Sequence, residues 1–360
     1  MRVMLIAFCI ALLVACDATS QTEQERVKTE FQEGELLVSF LNVGQGDATL
    51  LQTTDTTILI DAGRHDRNDV IDLLEGAGVK EVDLFIGTHP HADHIGQADQ
   101  VLLHFPVDEV WMSGDLHTTR TFERTIQAIA SSGASYYEPR AGEQFKIGAL
   151  EIEVLNPTEL TGDFHEGAIA LRVQHGEVVW LFMSDIEEDV ERKLVDSKVN
   201  IEADVLRLGH HGSSTSSHEA FLQEVDPSYA IYSSGVDNEY GHPHREVIER
   251  LDRLEIEWFG TDVHGQIDMV SDGQEIIVKS EKEFSQQSSP DATASTCIHL
   301  NEATIEELVT IVHIGEERAE QIVAMRPINQ IEQLTDIQGI GQGRLSDIVA
   351  EELACLDGGS

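Results

Sequence analysis

The sequence predicts an α/β domain with covered sheets, followed by a small all-α domain. Three observations predict it. From residue 36 to about 279, short β-branched or apolar runs alternate with stretches whose apolar residues fall three or four apart. Residues 281–295, rich in Ser, Gln, Glu, Ala and Thr, have no periodicity and read as a linker. Beyond it the chain repeats itself: residues 306–324 and 332–350 share nine identities in nineteen aligned positions at an offset of 26. Two copies of helix, tight turn, helix account for that repeat. The boundaries are 35–280 for the first domain, 281–296 for the linker and 297–357 for the second.

Composition excludes several classes. The 360 residues carry 23 Lys+Arg against 66 Asp+Glu, a formal charge of −43, with 41% hydrophobic residues. That apolar content buries a core, so the acidity is not the low-hydrophobicity signature of disorder. A basic groove wrapping nucleic acid by bulk attraction is excluded, as is an electrostatic hold on anionic lipid. An anionic substrate must be held locally, by metal ions or backbone amides.

At the N-terminus, Arg2 precedes an apolar run over residues 3–15 that is too short to span a bilayer and has the length of a signal-peptide core. It ends Leu13-Val14-Ala15-Cys16, which resembles the bacterial lipobox. The resemblance implies removal of residues 1–15, lipid on Cys16, and a lipid-anchored place on the extracellular face of the cell membrane; two lipid attachments give the affinity that stable anchoring needs. Residues 16–34 are then a polar tether. With Cys9 removed and Cys16 committed to lipid, Cys297 and Cys355 remain, and an even pair bracketing a compact exported unit reads as a disulfide. Closing that loop contributes roughly 3–4.5 kcal/mol in the chain-entropy view.

The first domain's strands are read at residues 37–41, 58–60, 84–86, 178–182 and 205–208, and its helices at 69–74, 121–130, 187–195 and 245–254. Hairpins mixed with crossovers indicate covered sheets. His89-Pro90-His91-Ala92-Asp93-His94 follows the strand at 83–87 directly. Two histidines one residue apart on an extended segment face one metal, while the Asp-His pair turns toward a second.

This pattern resembles the metallo-β-lactamase superfamily, whose first metal motif is His-x-His-x-Asp-His at a strand end. Other matches follow in the superfamily's order: Asp61 after the strand at 58–60, supporting the metal histidines from behind; Asp185 after the strand at 178–182, bridging both metals; and the segment Leu208-Gly209-His210-His211-Gly212-Ser213, with His211 favoured over His210 as ligand. The resemblance implies a four-layered αβ/βα sandwich with a binuclear site at one edge. His89 and His91 would hold one ion and Asp93, His94 and His211 the other. Asn42-Val43-Gly44-Gln45-Gly46-Asp47-Ala48 and Tyr240-Gly241-His242-Pro243-His244 narrow the likeness to the hydrolase domain of ComEC competence proteins and their stand-alone relatives. One departure is Gly167-Ala168, where those relatives carry Asn-Ser; His165 is the candidate to substitute.

Two divalent cations lower the pKa of a bridging water and clamp charge developing on a phosphoryl or acyl oxygen. Proton delivery to a leaving group then falls to His242, His210 or His244, in that order. Asp47 either orients ligands or caps a turn. Zinc is the default for a His-rich site, manganese fits a nucleic-acid substrate, and the ligands do not decide between them.

In the second domain, Val312-His313-Ile314-Gly315 and Gln338-Gly339-Ile340-Gly341 sit between helices, with Gly341 and Gly343 permitting the tight turn. They resemble helix-hairpin-helix motifs, and the pair resembles the ComEA-type DNA-binding domain. In that family reading, amides around Ile314, Gly315, Gly339, Ile340 and Gly341 receive phosphate at a helix N-terminus, and Arg318 and Arg344 pair with it. Residues 297–360 hold three basic against twelve acidic side chains, a poor balance for DNA, so a structural or protein-contact module is the alternative.

Together these motifs imply a surface-anchored metal-dependent phosphodiesterase acting on extracellular DNA, partnered by DNA and by a DNA-uptake machinery. An envelope phosphodiesterase, on phosphocholine or teichoic-acid linkages, and a DNA-capturing receptor with a structural metal site are the alternatives. The distributed acidity fits saline surroundings, where the Debye length falls to about 3 Å at 1 M salt and distant carboxylates cease to repel phosphate. DNA affinity is therefore expected to hold or rise as salt is added in a titration, and a steep loss would contradict this reading.

Overall fold

The computed structural model describes residues 29–282, 298–301, 303–337, 339–350 and 354–356. The leader, Cys16, most of the tether and linker, and Cys297 lie outside the described residues. The chain divides into one unit up to Phe284 and another from Ser285.

The first unit opens with strands β1 (Leu36–Phe40), β2 (Thr49–Gln52), β3 (Thr57–Ile60), β4 (Val82–Gly87), β5 (Val107–Met112) and β6 (Ser135–Tyr137), joined after β3 by helices α1 (Val70–Gly76), α2 (Ala98–His104) and α3 (Arg120–Ser132). A second series follows: β7 (Gln144–Ile147), β8 (Leu150–Asn156), β9 (Ala170–His175), β10 (Val178–Phe182), β11 (Val205–Arg207), β12 (Tyr229–Tyr232) and β13 (Glu257–Gly260). Helices α4 (Glu188–Ser197), α5 (Glu219–Val225) and α6 (Arg245–Arg253) join its last four strands. After a short helix, α7 (Thr261–His264), β14 (Ile267–Ser271) and β15 (Ile276–Ser280) return to the first sheet, whose order is β15-β14-β1-β2-β3-β4-β5-β6; the second sheet runs β13-β12-β11-β10-β9-β8-β7. Strands β3 to β6 and β10 to β13 are parallel, each pair spanned by a helical crossover.

Strand periodicity sorts the side chains into three cores. Ile58, Ile60, Leu84, Ile86, Trp180 and Phe182 pack between the sheets. Leu59 and Phe85, one residue out of phase, pack on Val70, Leu74, Val101 and Phe122 of the first three helices. Val179, Leu181 and Leu206 pack on Val190, Leu194, Phe221, Leu222 and Leu251 of the second three. Helix, sheet, sheet, helix is the layering the resemblance implied. The helices read from periodicity are present within a few residues of their expected bounds. Helices α2 and α5, of seven residues each, were not foreseen.

In the second unit, α8 (Ile305–Leu308), α9 (Glu316–Met325) and α10 (Gln342–Ala350) pack with a turn of 3₁₀ helix at Ile331–Asp336. The repeat is a repeated core: Leu308 with Leu334, Ile311 with Ile337, Ile314 with Ile340 and Ile322 with Ile348 are all buried. Strand β16 (Ile298–His299) pairs in parallel with β17 (Ala354–Cys355), bringing the ends of the unit together. His313 has φ 64 where Gly339 has φ 88, so a histidine adopts the left-handed conformation that glycine adopts in the second hairpin. Arg318 Nη1 donates to the His313 carbonyl and Arg344 Nη1 to the Gly339 carbonyl, each at 2.8 Å. The recurring arginines therefore close the two turns. The Ile314 and Ile340 amides, expected to receive phosphate, instead donate to the Ile311 and Ile337 carbonyls. That corrects the expectation for those two residues, because an amide closing its own turn is not available to a ligand.

Candidate metal centre

Every site residue read from the first domain sits in a loop at or near the carboxyl end of a strand, where α/β sheets bind ligands. Asp61 follows β3, His89 to His94 follow β4, Asp185 follows β10, and His210 and His211 follow β11. Asp61, Ser184, His210 and His211 have φ of 61, 50, 47 and 57, a left-handed backbone that non-glycine residues adopt at a cost of order 1–3 kcal/mol each and that clusters at functional sites. Backbone bonds lace the loops together: Asp47 N to Asp93 O (3.0 Å), His65 N to Ala92 O (2.9 Å) and Gly96 N to Gly63 O (2.8 Å). At Gly96 a Cβ would lie 2.2 Å from the Arg64 backbone, which explains the glycine beside the motif.

The ligand-type side chains form two clusters that share Asp185. In the first, one ligand atom each from His89, His91, His165 and Asp185 lies within 4.8 Å of the others. His165, left open by the sequence, thus joins the ligands. At Gly167 a Cβ would meet Asp115 Oδ2 at 2.4 Å, so the glycine leaves room for that carboxylate. In the second cluster, His94 Nδ1 donates to Asp61 Oδ2 at 2.7 Å and His211 Nδ1 to the Ser233 carbonyl at 2.9 Å. These bonds fix the tautomers and leave both Nε2 lone pairs facing inward. His94 Nε2 lies 3.2 Å and His211 Nε2 3.6 Å from Asp185 Oδ2, with Asp93 Oδ2 3.4 Å from His211 Nε2. Both Nε2 atoms and Asp185 Oδ1 are buried without a hydrogen-bond partner among the described residues. Unpartnered nitrogen lone pairs facing carboxylate oxygens are what a divalent cation satisfies, so the residues fit two such ions.

Asp47 also comes within 4.8 Å of this second set, but on the other side of the rings, 3.8 and 4.0 Å from the Nδ1 atoms of His94 and His211. There it is paired with Arg207, which also donates to the carbonyls of Ser184 (2.9 Å) and Leu208. Of the two readings for Asp47, orientation rather than turn-capping is what this geometry serves. Arg207, which sequence reasoning missed, ties together the turns that present Asp185 and His211. Asp61 has its remaining oxygen occupied by Thr88, whose amide donates to Oδ1 at 2.9 Å.

Charge follows the same design. Burial disfavours charge on His94, yet Asp185 and Asp61 outweigh it and raise its pKa well above the usual histidine range, so a cation at Nε2 would take the place of a proton there; burial would raise Asp185, yet His94 and His211 hold it well below the carboxylate range. Burial, with His94 beside it, pushes His89 well below the histidine range, and burial also lowers His91 and His210.

Among the candidate proton carriers, Gln45 accepts from Ser234 Oγ and Gly235 N at 3.1 Å each through Oε1, so its amide nitrogen faces His242 Nδ1 at 3.4 Å. The His242 proton is thereby placed on Nε2. Burial, followed by His211, His244 and His210, lowers His242 to about 3 and keeps it neutral. His210 Nδ1 donates to Glu187 Oε1 at 3.0 Å, leaving Nε2 3.9 Å from Asp185. His244 Nδ1 accepts from Ser214 N at 2.8 Å.

Comparison with known proteins agrees with the architecture. Residues 41–236 match the sequence model of the metallo-beta-lactamase superfamily, and residues 293–350 that of the helix-hairpin-helix motif. Over 255 residues the chain is 31% identical to ComE operon protein 3 of Bacillus subtilis, an alignment covering 65% of this chain and 33% of that one. It is 30% identical over 239 residues to competence protein ComA of Neisseria gonorrhoeae, covering 65% and 32%. The chain thus spans about a third of the length of these relatives. Sixty-one residues are 49% identical to a deoxyribonuclease of Thioalkalivibrio sp., 17% of each chain. Among solved structures, the metallo-beta-lactamase fold protein YhfI of Bacillus subtilis aligns with a TM-score of 0.46 at 13% identity, over 65% of this chain and 99% of that one.

Removing one partner of a buried ion pair strands the other, so Arg207→Met is expected to lower stability by about 3–5 kcal/mol in urea unfolding; a change below about 1 kcal/mol would show that the pair does not hold the ligand turns. Four layers, the ordered ligand motifs and the matched profile over more than half the chain establish that this protein belongs to the metallo-beta-lactamase superfamily, extended by a helix-hairpin-helix unit.

Proposed function

We propose that this hydrolase is a two-metal phosphodiesterase whose substrate is DNA. The observation that carries the reading is that His89, His91 and His165 on one side and His94, His211 and Asp93 on the other gather around Asp185, in a chain that also contains a tandem hairpin unit. The likeness of its segments to competence proteins and to a deoxyribonuclease supports the choice of nucleic acid over envelope diesters.

In this reading His89, His91, His165 and Asp185 hold one cation, and Asp93, His94, His211 and Asp185 the other. When bound, divalent cations supply a nucleophilic water at neutral pH and neutralise charge on phosphoryl oxygens. The protein's own groups do the rest. Asp61 and the Ser233 carbonyl fix the two ligand tautomers, and Thr88 Oγ1 lies 3.2 Å from His89 Nδ1. His242, neutral and protonated on Nε2, orients a substrate oxygen by donating a hydrogen bond. His210, backed by Glu187, is better placed to carry a proton to the leaving group, which reverses the order expected from the sequence. Manganese or zinc fills the site, lipid on Cys16 anchors the chain outside the cell, a Cys297–Cys355 bridge closes the hairpin unit, and the hairpins hold DNA for the metal centre. Peptide mapping of membrane-purified protein tests the modifications: an unlipidated Cys16 or free thiols at 297 and 355 would remove those parts.

Purified protein with manganese or zinc should degrade DNA. Asp185→Ala should abolish that activity, and Asp61→Asn should weaken metal affinity about 10- to 100-fold in a chelator competition. No cleavage under any metal would sink the reading. Cleavage of small phosphodiesters alone would favour the envelope substrate, and DNA binding that survives Asp185→Ala without turnover would favour the receptor.

A further inference from the structure

Three side-chain rings form a column from solvent to the second ligand cluster. Tyr240 is stacked on His242 with centroids 5.8 Å apart and planes 26° apart, and His242 on His211 at 6.2 Å and 25°. The inner two rings are held: His211 by the Ser233 carbonyl, His242 by Gln45. Tyr240 at the outer end is 59% exposed, an unusual placement for a large aromatic ring beside a buried polar site. Its loop is fixed from below, since Asn238 accepts from the amides of Tyr240 (3.2 Å) and His242 (3.0 Å) and donates to the Gly235 carbonyl at 2.9 Å. The ring is therefore presented on a braced turn. Across the first cluster, Phe164 meets His91 edge-on at 5.4 Å and His117 at 4.9 Å, so aromatic surface flanks both ligand sets.

We propose that Tyr240 is a base-stacking platform that seats the nucleotide next to the scissile phosphate, and that the strand entering the site is single-stranded. This rests on the nuclease reading above and goes further by naming the form of the substrate and the residue that recognises it. An exposed ring in line with the ligands offers a flat face that any unpaired base covers, whereas a paired base has its faces occupied by its neighbours. Stacking also needs no positive charge. In a chain with 23 basic residues against 66 acidic ones, a contact that needs no charge can hold a strand against the overall repulsion.

The test is steady-state cleavage of short single-stranded DNA by the full-length, metal-loaded protein and its Tyr240→Ala and Tyr240→Phe variants. Each is assayed with an intact base or an abasic site beside the cleaved linkage. Tyr240→Ala should raise KM for the intact strand about tenfold or more, with a smaller change in kcat and unchanged metal content, and Tyr240→Phe should restore the wild-type KM. The abasic site should raise the wild-type KM by a similar factor and add nothing in Tyr240→Ala. A blunt duplex should be the poorer substrate. An unchanged KM in Tyr240→Ala, independent multiplication of the two effects, or equal cleavage of duplex and single strand would overturn the platform while leaving the nuclease reading intact. Absence of cleavage by the wild-type protein would overturn both.

Discussion

A carboxylate buried to 2% exposure, Asp185, is the constraint around which the first unit is arranged. Burying an ionised carboxyl is expensive unless charge and hydrogen bonds compensate it. Here Oδ2 is ringed by imidazole nitrogens of His94, His211, His89 and His210 at 3.2, 3.6, 3.7 and 3.9 Å. Those rings come from two loops, one on each sheet, so the site exists only when the sheets are stacked. The stacking is driven by the apolar seam of Ile58, Ile60, Leu84, Ile86, Trp180 and Phe182 between them. Hydrophobic burial, which is not directional, brings the loops together; hydrogen bonds and ion pairs, which are, set the ring orientations.

A second layer of polar contacts beneath the ligands does that setting. Asp61 reaches His94 and Thr88, Arg207 joins Asp47 to the backbone of the turns before Asp185 and His210, and Ser184 Oγ donates to Thr88 Oγ1 at 2.7 Å from one sheet to the other. Left-handed residues at Asp61, Ser184, His210 and His211 are tolerated because these contacts over-determine the turns. The arginines of the hairpin unit that recur in the repeat donate to the carbonyls of their own turns.

Much of the site was legible because its chemistry is compressed into short segments. His89 to His94 place four ligand-type side chains in six residues, and Asp61, Asp185 and His211 each follow a run of strand residues. The layering followed from strand periodicity, and the hairpin repeat was legible because four of its nine identities are leucine or isoleucine core positions that recur at one spacing. Pairings between distant residues were not legible. Arg207 and Asp47 lie 160 residues apart and Gln45 and His242 lie 197 apart, and nothing local in either stretch announces the partner. His165 was a candidate only through the departure at Gly167-Ala168, and it is the loop between β8 and β9 that brings its ring to 5.1 Å from that of His91. For Arg318 and Arg344, a recurring arginine beside a turn suits both a phosphate ligand and a carbonyl donor, and the structure shows the second contact, through Nη1.

The central claim is that two cations share Asp185. Anomalous diffraction from crystals loaded with manganese or zinc measures it directly. Two peaks are expected, one among His89, His91, His165 and Asp185, the other among Asp93, His94, His211 and Asp185. A single peak, or a peak bound to Asp47 in place of Asp93, would contradict it.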